Sequence, residues 1–243
     1  MARERERTIF LMKQRVSVPT LFLWVVILGS TCRFGVAEKG KLRDSIPRAK
    51  DFSRIVLSVM RSYPANGTHT YYWPRGSSWS GNTRDLIYRG EVFAKGDPQG
   101  RAYCCGLTFE VFFRSYEQWC RLSKRPFRIV DLDTSGLRRF RGRWFGSRSN
   151  LLCSQSAITE YGIGREVSLS RARSGDFVQF WRHSGSGHSV IFLKWKCDAN
   201  GKRTGMTYWS TQPSTRGIGQ ATEMFGGSRG IDPDRIHLAR VGR

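Results

Sequence analysis

The chain has 243 residues, enough for one well-buried domain with a short lead-in, and too few for two comfortable ones. Hydrophobic residues at 39% and aromatics at 13% exclude a disordered chain, and 26 glycines favour a turn-rich fold containing β-structure over a helix bundle. The formal charge of +22 makes the surface attractive to polyanions, yet no zinc finger, helix-turn-helix or RNA-binding motif turns that charge into nucleic-acid specificity.

Arg3, Arg5, Arg7, Lys13 and Arg15 form a basic opening, followed by an apolar run from Val16 to Leu28. Gly35 and Ala37 then stand where a signal peptidase reads small residues. The pattern predicts a cleaved secretory signal over 1–37, since the run is short of the roughly 20 residues a membrane span needs. Export to the periplasm, cell envelope or exterior of a bacterial-type cell follows as an expectation. Cys32 leaves with that segment, and the five remaining cysteines are an odd number, so at least one thiol is unpaired within the chain. Cys104 and Cys105 are adjacent, and a bridge between neighbours is strained. No Cys-x-x-Cys pair supports a structural zinc, and no metal or organic cofactor is expected.

Residues 38–47 read as a linker to one domain over 48–243. Phe52, Ile55, Val56, Val59 and Met60 recur at helical spacing before Pro64. An aromatic, turn-rich stretch from Thr68 to Asn82 precedes a strand over Leu86–Ala94 and a loop over Lys95–Gly100. A helix is expected from Cys104 to about Lys124, and another over Asn150–Tyr161, ended by Gly162. The basic segment Gly136–Phe145 between them carries Arg138, Arg139, Arg141 and Arg143, a possible contact for polyanions, and is left without a secondary-structure assignment. Strands follow at Asp176–Trp181, His188–Trp195, Gly205–Ser210 and Arg235–Val241, with a glycine-rich loop over 217–230. Helices first and an antiparallel sheet second make an α+β plan.

The chemistry centres on Tyr103-Cys104-Cys105-Gly106-Leu107, which delivers cysteine to the first turn of a hydrophobic helix. Unpaired N–H groups and the positive end of the helix dipole favour a thiolate there, and the same N–H groups suit an oxyanion. Helical phase sets Cys104 with Thr108, Val111 and Ser115, and Cys105 with Phe109, Phe112 and Trp119, so phase does not choose between them. Of His69, His183, His188 and His237, His188 opens an apolar strand directly after Gly185-Ser186-Gly187, a rigid position for a base. The returning strand offers Ser210 and Gln212 on one face, and either is a candidate to orient the imidazole.

These segments resemble the NlpC/P60 peptidases. Tyr103-Cys104-Cys105-Gly106-Leu107-Thr108 is similar to their Asp-Cys-Ser-Gly-Leu-Val helix start, and Gly175-Asp176-Phe177-Val178-Gln179-Phe180 to their Gly-Asp-Leu-Val-Phe-Phe strand. Gly187-His188-Ser189-Val190-Ile191-Phe192-Leu193 is similar to their His-Val-Gly-Ile-Tyr strand, in an order shared with the CHAP amidases. The resemblance covers roughly 101–212. It implies a papain-like fold with amino-terminal helices packed on an antiparallel sheet. It also implies a thiol hydrolase cutting amide or peptide bonds of the cell-wall peptidoglycan, with Cys104 as nucleophile by its spacing to Gly106, Cys105 as the alternative, and His188 as base. Tyr103 stands where the family has Asp, and neither Gln212 nor Ser210 is the family's usual third residue; Gln212 would act through its amide oxygen. Tyr71-Tyr72-Trp73 bears a faint likeness to the family's upstream tyrosine and is assigned no role. The alternative is an inactive secreted basic module that binds cell-wall or other polyanionic polymers.

Overall fold

In the computed structural model, residues 46–74, 79–146 and 149–243 are described, so the signal segment 1–37 and most of the linker 38–47 lie outside the described residues. Helix α1 is Ala49–Arg61, and the five apolar residues at helical spacing all face inward. Phe52 meets Phe112 and Tyr116 of helix α2, Cys104–Leu122, with ring centroids 6.3 and 5.7 Å apart. Helix α2 is buried on almost every side: Leu107, Phe109, Val111, Phe112, Phe113 and Tyr116 are all at most 2% exposed. The helix Ala49–Arg61 packs along it.

The segment expected as one strand, Leu86–Ala94, is a hairpin of β1, Leu86–Tyr88, and β2, Glu91–Ala94. Arg89 and Gly90 both have positive φ, 54° and 85°, the geometry a two-residue reversal requires, and Gly90 makes it cheap. The unassigned basic segment is helix α3, Thr134–Trp144. Asp133 caps it, accepting the Gly136 N–H at 2.6 Å, and Leu137, Phe140 and Trp144 form its buried stripe. The interleaved arginines mask that stripe in the sequence. Helix α4, Ser154–Glu160, starts four residues later than the expected 150, because Cys153 sits at φ 51°. Asn150 instead ties the turn to α3, donating to the carbonyl of Arg143 at 2.7 Å.

The remaining chain forms one antiparallel sheet of β3, Gly164–Val167; β4, Phe177–Arg182; β5, Gly187–Cys197; β6, Arg203–Gln212; β7, Gly217–Met224; and β8, Ile231–Val241. The spatial order is β3-β8-β4-β5-β6-β7, so β4 and β5 lie at the centre. Helices and an antiparallel sheet make the α+β class that the sequence predicts. Strands β3 and β7 were not expected. The glycine-rich stretch 217–230 is a strand over its first eight residues, paired along its length with β6. Gly217 opens it at φ 117°, where a Cβ would fall 2.0 Å from the carbonyl oxygen of His69. That glycine answers close backbone approach, not a loop.

Alternation along β4 gives each sheet face its own core. Phe177 joins Ile191, Trp209 and Ala239 under the helices, while Val178 and Phe180 join Val190, Phe192, Tyr208 and Leu238 on the other side. Asp176, fully buried just before β4, takes two hydrogen bonds from Arg240 of β8, both 2.7 Å, and a third from the Arg173 backbone N–H at 2.8 Å. Removing one partner of such a pair strands a buried charge, at about 3–5 kcal/mol. Arg240→Met is therefore expected to lower unfolding free energy by about that amount in urea titration. A loss under about 1 kcal/mol would show that the carboxylate finds other partners.

Candidate active site

The first turn of α2 is held by backbone. Tyr103, extended at φ −124° and ψ 166°, precedes the helix; its N–H donates to the Gly81 carbonyl at 3.2 Å and its hydroxyl to the Trp79 carbonyl at 2.9 Å. A Cβ on Gly106 would lie 2.3 Å from the Gly81 oxygen, so only glycine lets this loop run against the helix start. Glu110, fully buried one turn on, anchors the same loop by accepting from Thr83 N–H at 2.6 Å, Thr83 Oγ1 at 2.8 Å and Tyr63 hydroxyl at 2.7 Å. The Cys-x-Gly spacing thus has a packing cause.

His188 enters from the β4–β5 hairpin, opposite Phe180 in the ladder. Its ring is 6% exposed and stands edge-on to Phe180 and Tyr208, with centroids 5.7 and 5.6 Å away. Nε2 lies 2.9 Å from Gln212 Oε1 at the end of β6. Gln212 Nε2 donates to Ser214 Oγ at 2.7 Å, and the Tyr208 hydroxyl lies 2.9 Å from Gln212 Oε1 and 3.1 Å from Glu223 Oε2, so the amide is held beside the ring from two sides. Gln212 thus engages Nε2 and leaves Nδ1, and the ring acts on Cys104 both as a hydrogen-bonding group and as a charge. Ser210, the alternative orienting residue, is turned away: its Oγ donates to the Ser189 carbonyl at 2.7 Å.

The two sulfurs have opposite characters. Cys104 is held well below the ordinary thiol range, first by the hydrogen bond from Cys105, then, against the effect of burial, by the hydrogen bond and charge of His188 and by the Ser189 N–H. Cys105 is pushed well up by donating to Cys104 and by burial. Cys153 is pushed up to about 12, by burial first and then by Cys104. Helical phase does not choose between the adjacent cysteines; His188 and the Ser189 N–H act on Cys104 and not on Cys105. All five cysteines of the described residues are free thiols. Tyr71, bridged to Ala102 beside the helix start, is pushed up to about 12 by burial and by both sulfurs, so it keeps its proton next to them.

Sulfur and imidazole meet at one end of a cleft of about 480 Å³ walled by Trp73, Tyr103, Phe145, Leu151 and Trp181. Trp73 stacks on Tyr103 at 6.1 Å, and Trp181 Nε1 donates to the Leu151 carbonyl at 2.9 Å. Gly187 has no side chain because a Cβ would sit 2.7 Å from both Gln179 and the Trp181 ring. These walls come from separate segments, and no local pattern in the sequence marks them. The other histidines are engaged elsewhere: His69 Nδ1 lies 2.6 Å from the Gly100 oxygen, His183 faces Asp232 at 3.9 Å, and burial lowers His237 within β8. Among the described residues no three His, Cys, Asp or Glu side chains converge as a metal-ligand set. The arginines of α3 do not share one open face. Arg143 pairs with Glu160, Arg141 donates to the Ser80 carbonyl at 3.1 Å and stacks on Phe145, and Arg138 and Arg139 are exposed.

Because Cys105 is the largest influence on Cys104, Cys105→Ala is expected to slow iodoacetamide alkylation of Cys104 at pH 6 about tenfold for each pH unit its pKa rises. Cys105→Ser keeps a donor and is expected to stay within about threefold of the parent protein, with peptide mapping as the readout. Equal rates in Cys105→Ala and the parent would remove Cys105 from the site. No family model, curated protein or solved structure matches this chain, so its site is read from its own geometry.

Proposed function

We propose that the protein is an exported cysteine hydrolase of the papain-like, NlpC/P60 type, cutting amide or peptide bonds, with peptidoglycan stem peptides as its substrates. The observation that carries this reading is the series Cys104, His188, Gln212, in which His188 acts on the Cys104 sulfur and lies 2.9 Å from the Gln212 amide, set at a helix start against a central strand pair. Cys104 gives its proton to His188 and attacks the carbonyl carbon as the thiolate, and the electron pair of the C=O bond moves to its oxygen. The backbone N–H groups at the start of α2 and the protonated Tyr71 beside the two sulfurs are the donors available to the oxyanion. Collapse breaks the C–N bond as His188, now imidazolium, gives a proton to the departing amine. Water, deprotonated by His188, then splits the thioester and restores the thiol. Gln212 keeps the imidazole turned toward sulfur throughout. The helix-first order, the sheet behind it, and the match of Gly175-Asp176 and Gly187-His188 to strand starts support the family reading. Peptidoglycan enters through the resemblance and the expected export.

Incubation with purified peptidoglycan, followed by chromatography of released fragments, tests this. Cys104→Ala and His188→Ala are expected to abolish release, and Gln212→Ala to lower kcat about 10²-fold with KM little changed. Binding to the polymer without release by the parent protein would favour the inactive basic module instead. Release that survives in Cys104→Ala would overturn the assignment of the nucleophile.

A further inference from the structure

The cleft beside Cys104 is apolar, with one exception. Gln179 and Ser189, the uncharged polar side chains on its wall, satisfy each other: Ser189 Oγ donates to Gln179 Oε1 at 2.6 Å, and Gln179 Nε2 donates to the Phe180 carbonyl at 3.1 Å. Arg235 of β8 also lines the cleft. It is half-buried, and its guanidinium lies over the Trp181 ring, 5.4 Å from the centroid. Neighbouring arginines are spoken for: Arg182 by Glu223, Arg141 by the Ser80 carbonyl, Arg143 by Glu160 and Arg101 by Asp97. Among the described residues no carboxylate pairs with Arg235. Its place follows from the ladder, where Phe180 pairs with Ile236 and the register then breaks before Arg182, setting Arg235 beside Trp181 at the mouth.

A guanidinium held over an aromatic face is placed by that contact while its N–H groups still serve a polar partner, and a guanidinium can take a carboxylate bidentately. In an apolar cleft that contact is stronger than on an open surface. We infer that Arg235 is a specificity-determining residue that selects amide substrates combining an apolar or aromatic group, held between Trp73, Tyr103 and Trp181, with a carboxylate on the Trp181 side. The inference rests on Cys104 as the attacking group, but not on which polymer is cut.

The test uses two alkylating probes of equal shape, N-iodoacetyl-phenylalanine and its carboxamide, at 0.15 M salt so that the general positive field is screened. The rate of Cys104 modification is followed by peptide mapping in the parent protein, Arg235→Gln and Arg235→Lys, each checked for an unchanged melting temperature. The expected result is that the parent reacts about tenfold faster with the carboxylate probe than with the carboxamide. Arg235→Gln should bring that ratio near one, Arg235→Lys should recover part of it, and the carboxamide rate should be alike in all three. An equal ratio in the parent and Arg235→Gln overturns the role of Arg235 while leaving the thiolate intact. If neither probe modifies Cys104 faster in the folded protein than in urea, the nucleophile reading fails and the inference falls with it.

Discussion

The structure turns on the contact between the start of α2 and the β4–β5 hairpin. A cysteine at a helix terminus has few partners of its own, and an imidazole at a strand entry has one nitrogen to spare after its amide bond. Each satisfies the other only if helix and sheet are fixed to within a hydrogen bond. The chain achieves this with rigid parts on both sides. Gly106 and Gly81 bring the preceding loop onto the helix backbone, and buried Glu110 ties that loop down. On the sheet side, His188 is clamped between Phe180 and Tyr208 and oriented by Gln212. The aromatic core behind them, in which Phe112 and Trp144 each meet both Phe140 and Phe177, fixes the distance between helix and sheet.

Adjacent cysteines are given different duties by geometry that their sequence neighbours do not reveal. Two thiols this close cannot both ionise, because the second charge meets the first. Here the imidazole and the Ser189 N–H both reach Cys104, so the negative charge settles there and Cys105 becomes a donor. Cys105 thereby acts as a positioning residue, one that resembles neither a spare nucleophile nor inert packing. Burial keeps Cys153 protonated nearby, so the charge stays on a single atom.

Much of this was legible in the sequence wherever pattern and chemistry agree. The stripe of α1, the long apolar α2 and the strands around His188 have clean periodicity, and strand alternation narrows the orienting residue to Ser210 or Gln212. What was not legible has physical causes. Arginines interleaved with Leu137, Phe140 and Trp144 hide the stripe of α3, whose start is marked by the Asp133 cap. Glycines in β7 are read as loop when they serve close contacts with the His69 backbone and the Thr215 side chain. The choice of Gln212 over Ser210 needs the register, since both lie on one face of β6. The cleft wall is invisible in sequence because Trp73, Phe145, Trp181 and Arg235 are brought together only by the fold.

The central claim is that Cys104 is a thiolate held by its neighbour Cys105 and by His188. Thiolate absorbance near 240 nm, followed across pH as the difference between the parent protein and Cys104→Ser, reads this directly. A titration step well below the ordinary thiol value of about 8.5, moved back toward that value in His188→Ala, is the expected result. A single step at or above 8.5 in the parent, indifferent to His188, would contradict it.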